Sequence, residues 1–304
     1  MNKAFLYIIL GAALWGTIGW YVKNLYEFGF TPMEVVTLRV WFSAVMLGGY
    51  LLIASPGKLK LKQATDLKYF LGTGILSIIF FNYCMFSAIE LSTIPMATAL
   101  LYTAPAFVTI LSSLLFKEPL TKMKMAALLI TLAGTCLVVG LMPWSLGNVQ
   151  LVSVLFGLGS GLGYAFYSIF SKYALKKYTS LSITAYTFIV ASLALLPLFP
   201  YADKAHLFTD PKVLFFAAGL GFLPTSVAYI IYTYGLQHTE ASKASILSTI
   251  EPVVATVIGV FVFQESFSSI QTAGMGLIIG AVILIQLYGS SAGHILPLKR
   301  KKTG

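Results

Sequence analysis

Apolar runs long enough to cross a bilayer recur from one end of this 304-residue sequence to the other, at 4–22, 33–54, 69–89, 93–116, 125–141, 151–171, 180–199, 213–235, 242–263 and 270–288. Each is close to the ~20 residues a helix needs to span ~30 Å of hydrocarbon. Only 10% of residues are charged and 58% are hydrophobic, whereas a soluble domain is about a quarter charged. No stretch remains for a soluble domain, and the fold expected is an all-α membrane protein of ten transmembrane helices. The first run follows Met1-Asn2-Lys3, as in a signal peptide. It is too long for one, lacks a small-x-small cleavage site and is followed by further spans, so it is expected to be a retained helix.

The net charge of +10 does not describe a nucleic-acid surface, because the lysines fall in short clusters between apolar runs, a pattern suited to an anionic membrane leaflet. Lys and Arg set the orientation of such a chain. With the N-terminus inside, 16 of them lie in inside segments: Lys3, Lys58, Lys60, Lys62, Lys68, Lys117, Lys122, Lys124, Lys172, Lys176, Lys177, Lys243, Lys299, Arg300, Lys301 and Lys302. Only Lys23, Lys204 and Lys212 lie outside, with Arg39 inside a helix. That split predicts an even number of spans, both termini in the cytoplasm and a basic cytoplasmic tail over 291–304. Cys84 and Cys136 both lie in apolar runs, which leaves no disulfide framework and no CxxC metal or redox site. No cofactor or metal is expected, and no ATP motif is present.

The strongest organisational signal is an internal repeat at an offset of 147 residues. It pairs Gly72 with Gly219, Gly74 with Gly221, Ala97 with Ala244, Pro105 with Pro252, Thr109 with Thr256, Phe116 with Phe263 and Glu118 with Glu265. The first two helices of each half match more weakly, near Gly11 with Gly159. Five is odd, so a second copy of five helices must insert upside down. The charges agree, since the loop KEPLTKMK after helix 4 is basic while its mate QESFSS has no Lys or Arg. The expected organisation is 1–147 and 148–290 as two inverted five-helix repeats, an arrangement used by transporters with a site near the midplane.

Trp15-Gly16 in helix 1, Pro32 with Arg39 in helix 2, the stretch ALLYTAPAFVTILSSLLFKEPL and its copy SILSTIEPVVATVIGVFVFQES together resemble the EamA family of the drug/metabolite transporter superfamily. The resemblance covers nearly the whole chain and is weakest in helices 6 and 7, where the Trp-type signature reads Gly163-Tyr164. It implies a ten-helix carrier of small metabolites in the cell inner membrane, often amino acids or amines and often exported.

Glu251 lies about ten residues into helix 9, ~15 Å deep, where a carboxylate must be neutralised, paired or wet. Its repeat mate is Ala104, so the shared helix architecture does not demand it. It reads as a proton-coupling carboxyl or a counter-ion for an ammonium, with a brace at the Pro252 kink as the structural alternative. Arg39 is about 140° around helix 2 from Glu34, so it is expected to brace against another helix or snorkel, with gating or substrate contact as the other reading. Trp15, Asn82, Tyr83, Tyr102, Tyr164, Tyr167, Tyr229 and Tyr232 fall in the middle halves of their helices, and aromatic faces with polar tips suit a flat side chain or a cation. Ser245, Ser248 and Thr249 share a face of helix 9 that either meets solute or bonds another helix. GLGSGLG at 157–163 matches neither nucleotide nor nucleophile motifs and reads as small-xxx-small packing. Glu118 and Glu265 read as latches or helix-end pairs.

A carrier is the leading class: a solute would bind between the halves and reach each side in turn. An intramembrane enzyme would need a second catalytic group at depth, and His206, His238 and His294 all lie in loops or tails. A channel would want a ring of like groups, not one unmatched Glu. The substrate expected is an aromatic or other apolar amino acid, exported by secondary active transport, with a cationic or quaternary amine held by Glu251 as the alternative and protons as a candidate coupling ion. The partners are a small solute and the bilayer. The sequence leaves the oligomeric state open, a monomer being one option.

Overall fold

A computed structural model describes residues 3–140, 150–266 and 268–289. The end of the fifth apolar run, Trp144 and the basic tail at 291–304 lie outside these residues. The described residues form ten long helices. Eight are α1 Lys3–Glu27, α2 Pro32–Ala54, α3 Ala64–Leu91, α4 Ile94–Phe116, α6 Leu151–Ala174, α7 Ser180–Leu198, α8 Pro211–Gln237 and α9 Ala241–Phe263. The others are α5 Lys122–Val138 and α10 Ser269–Gly289. All but α5, at 17 residues, are long and apolar enough to cross a membrane by an 18-residue measure, and ~17 residues is still the lower bound for a span. Large apolar side chains such as Leu52, Ile53, Leu114, Leu193 and Phe261 stand exposed, as expected where lipid replaces water.

The helices start where capping chemistry allows. Thr31 and Glu34 form a capping box at α2, and Thr179 at α7, Thr121 at α5 and Ser268 at α10 each accept a backbone N–H of the first turn. Each such cap is worth about 1 kcal/mol. α4 and α9 both end on a left-handed residue, Lys117 and Gln264, followed by Glu118 N–H to Ser112 O and Glu265 N–H to Gly259 O.

Packing follows the repeat. α1 packs on α8 as α6 packs on α3, α4 meets α6 as α9 meets α1, and α2 with α7 and α5 with α10 form pairs across the halves. Exchanging the halves maps this set of contacts onto itself. At the α5–α10 crossing, a Cβ on Gly134 would lie 2.9 Å from Gly274 O and one on Gly274 2.6 Å from Gly134 O. The two backbones touch, so glycine is required on both sides. The glycines of GLGSGLG serve packing too: Gly157 and Gly161 lie against Leu100, and Gly163 against Phe81.

Several spans are broken at mid-depth. α1 is interrupted at Gly16–Thr17, α4 at Tyr102–Thr103 and α9 at Ser248–Thr249, and the hydroxyls of Thr17, Thr103 and Thr249 each donate to the carbonyl three residues back. Pro105 and Pro252 follow the last two breaks and cannot donate to the preceding turn. α3 and α8 carry wide-turn segments, Gly72–Ile79 and Phe222–Val227. Such breaks survive in a membrane only where neighbouring protein satisfies the freed backbone.

Candidate functional site

The breaks of α1 and α9 adjoin an aromatic cluster between the halves. Trp15, at the end of the first segment of α1, packs on Tyr229 and Tyr232 of α8 at 4.9 and 4.8 Å between ring centroids and on Tyr164 of α6 at 5.9 Å. Tyr167 of α6 packs edge-on to Tyr229 at 4.8 Å. The cluster is tied by hydroxyls: Tyr167 pairs with Thr233 and Tyr232 with Ser168, each at 2.7 Å. Between these rings, Ser77 and Phe81 lies a cavity of only about 10 Å³, about the room that one water needs.

Glu251 borders this cluster. Tyr164 donates its hydroxyl to Glu251 Oε2 at 3.2 Å. Both residues are half-buried. α1 reaches this point because Gly16 has no side chain: a Cβ there would lie 2.8 Å from Glu251 O and 2.7 Å from Val254 Cβ. The Trp15-Gly16 pair therefore sets an aromatic ring beside the cluster and lets α1 approach α9 where the carboxylate stands.

Arg39 is buried on α2 and does not snorkel. Its Nε donates to Thr225 Oγ1 at 3.0 Å and its Nη2 to Tyr229 OH at 3.3 Å. The wide turn of α8 brings Thr225 there. Arg39 thus braces α2 against α8, across the halves, and its charge stands behind Tyr229. Glu34, as its position around α2 implies, turns instead to the Thr31 cap and to Lys204 at 3.6 Å.

Other expected site residues lie elsewhere. Tyr102 is buried at the α4 break, within electrostatic reach of Glu251. It lines a second cavity of about 280 Å³ with Ile94, Pro95, Thr98, Pro252, Thr256, Glu265 and Gln271. Asn82 is buried, but its amide donates to Ile78 O of its own helix at 2.7 Å. Tyr83 is a correction: one residue further around α3, about 100°, it is 56% exposed and packs on Phe156 at the surface. The hydroxyl of Ser248 donates to Ser245 O at 2.8 Å, and those of Ser245 and Thr249 also return to their own helix, with all three side chains buried. Thr225, Ser168, Thr233 and Ser77 belong to the site and carried no sequence signal, being small polar residues among many.

The two ends of the bundle differ. At the end that gathers the lysine-rich segments, Glu118 Oε1 accepts Ala241 N–H at 2.7 Å, and its Oε2 accepts Ser242 N–H at 3.1 Å and Ser242 Oγ–H at 2.6 Å. Lys124 pairs with Glu240, and Lys172 donates to Leu236 O and Thr239 O. Asp66 takes Lys177 at 2.6 Å and Tyr178 OH at 2.8 Å. The Asp66 hydrogen bond raises the Lys177 ammonium above its usual range. At the opposite end Glu265, the mate of Glu118, is exposed, with Lys23 at 3.5 Å, on the rim of the 280 Å³ vestibule. A further cavity of about 290 Å³ near Trp41, Phe199 and Phe208 has no charged lining residue.

Ten membrane-crossing helices in two inverted halves, joined around a polar and aromatic centre, define a multi-pass membrane transporter. The chain belongs to the EamA-like transporter family, whose model matches it twice, over residues 2–140 and 151–287. An uncharacterized transporter of Archaeoglobus fulgidus is 30% identical, covering 91% of this chain and 94% of that one. The uncharacterized inner membrane transporter YicL of Salmonella typhimurium is 25% identical over 94% of this chain and 96% of its own. A crystal structure with 19% identity superposes with a TM-score of 0.78, covering 96% of this chain and 99% of the other, and is similar in fold.

Proposed function

We propose that this transporter is a secondary carrier that exports aromatic or other apolar amino acids across the cytoplasmic membrane by alternating access. The halves 1–147 and 148–290 are the two rocking units, and the lysine-rich end, with both termini, faces the cytoplasm. The observation that carries the reading is Glu251 at a helix break, hydrogen-bonded by Tyr164, beside an aromatic cluster with Arg39 behind it. A carboxylate suits the ammonium of an amino acid, the rings suit an apolar side chain, and the guanidinium supplies a field that favours the carboxylate end. The Glu118 contacts then close the cytoplasmic side, and the vestibule opens to the outside. A carboxyl at this depth also provides a site for a coupling proton.

The second reading is a carrier of cationic amines. It draws on the hydrogen bonds that occupy the Arg39 fork and on the single carboxylate among tyrosine rings, which suits a cation alone. One competition assay separates the two. Purified protein is expected to retain labelled phenylalanine and to release it to unlabelled leucine or tyrosine but not to choline. Retention of choline without phenylalanine would replace the first reading by the second.

A further inference from the structure

Among the described residues, one buried donor at the centre has no partner in the protein. Trp15 is 5% exposed and its Nε1 makes no hydrogen bond, although the tyrosine hydroxyls around it are paired with Thr233, Ser168 and Arg39. An indole N–H can only donate, and a buried donor left unmade is costly. The indole lines the 10 Å³ cavity with Tyr164, Tyr167, Tyr229 and Tyr232. Tyr164 contacts the Trp15 ring and also donates to Glu251. Tyr164 thus links the two groups: its ring touches the indole that lines the cavity, its hydroxyl holds the Glu251 carboxylate just outside that lining, and Arg39 is bonded to Tyr229.

We propose that Trp15 Nε1–H receives a carboxylate oxygen of the solute while Glu251 receives its ammonium, so that Trp15 distinguishes amino acids from the corresponding amines. This rests on the amino-acid reading above and adds to it the residue that recognises the carboxylate. Admission of the solute requires the rings to part, and the interruptions at Gly16–Thr17 and Ser248–Thr249 flank both recognition groups and supply the hinges.

The test compares phenylalanine with phenethylamine, which lacks only the carboxylate, by calorimetric titration of the purified wild type and of Trp15→Phe. The wild type is expected to bind phenylalanine at least about tenfold more tightly, as a hydrogen bond to a charged group implies. Trp15→Phe is expected to lose most of that preference, because the ring remains and the donor is gone. An unchanged preference in Trp15→Phe overturns the Trp15 assignment alone, whereas a wild type that binds neither compound overturns the amino-acid reading and this proposal together. Should Trp15→Phe not fold, a chain with Trp20, Trp41 and Trp144 replaced by Phe and its one indole ¹⁵N-labelled gives a second readout. Its N–H resonance is expected to shift downfield with phenylalanine and not with phenethylamine, and equal shifts would overturn the proposal.

Discussion

Arg39 and Glu251 stand deep in the bundle, and the repeat duplicates neither: Thr187 occupies the place of Arg39 and Ala104 that of Glu251. Thr187 donates its hydroxyl to Thr73 at 2.6 Å, whereas the residues that match Thr225 and Tyr229 are Ile78 and Asn82, so the Arg39 bonds are not repeated residue for residue. Because the Arg39 fork holds two partners in a fixed plane, Arg39→Met is expected to destabilise the protein by about 1.5–3 kcal/mol, and Arg39→Lys to recover little of it. Thermal unfolding in detergent checks this; full recovery by Lys would mean that charge alone matters. The depth of Glu251 was legible from counting residues into an apolar run. That Tyr164 faces the site while Tyr83 faces outward was not, because a helix apolar all round gives periodicity nothing to phase.

At the scale of elements, the breaks were partly legible. Pro252 announced a departure from regular helix, but the breaks at Gly16–Thr17 and Tyr102–Thr103 and the wide turns at Gly72–Ile79 and Phe222–Val227 were not read from the sequence. The latches show how one repeat yields two different ends. Glu118 accepts two backbone N–H groups and a hydroxyl at the start of α9. The residues matching Ala241 and Ser242 at the start of α4 are Ile94 and Pro95, which offer one backbone N–H and no hydroxyl. The start of α4 therefore offers Glu265 fewer donors than the start of α9 offers Glu118, and under the proposed alternating access this asymmetry would favour closure at the lysine-rich end. With Cys84 and Cys136 replaced by Ala and a reporter introduced as Ser245→Cys, Glu118→Gln is expected to speed maleimide labelling at least several-fold. Glu265→Gln is expected to change it little, and equal effects would remove the asymmetry.

For the molecule as a whole, ten spans and the 147-residue repeat were readable because bilayer thickness fixes helix length and duplication preserves spacing. The inverted arrangement followed from an odd number of helices per copy, and contacts such as α1 on α8 and α6 on α3 obey it. What hydropathy could not supply was the side-chain register at the centre, which depends on how Gly16, the broken helices and the Arg39 brace bring α1, α6, α8 and α9 together. The central claim is a carrier with one site between two moving halves. Counterflow in proteoliposomes tests it most directly: labelled phenylalanine outside, unlabelled phenylalanine inside. Saturable uptake that transiently exceeds equilibrium, and falls at least about tenfold in Glu251→Gln, is the predicted result. Linear uptake unaffected by inner phenylalanine, or full activity in Glu251→Gln, would contradict it.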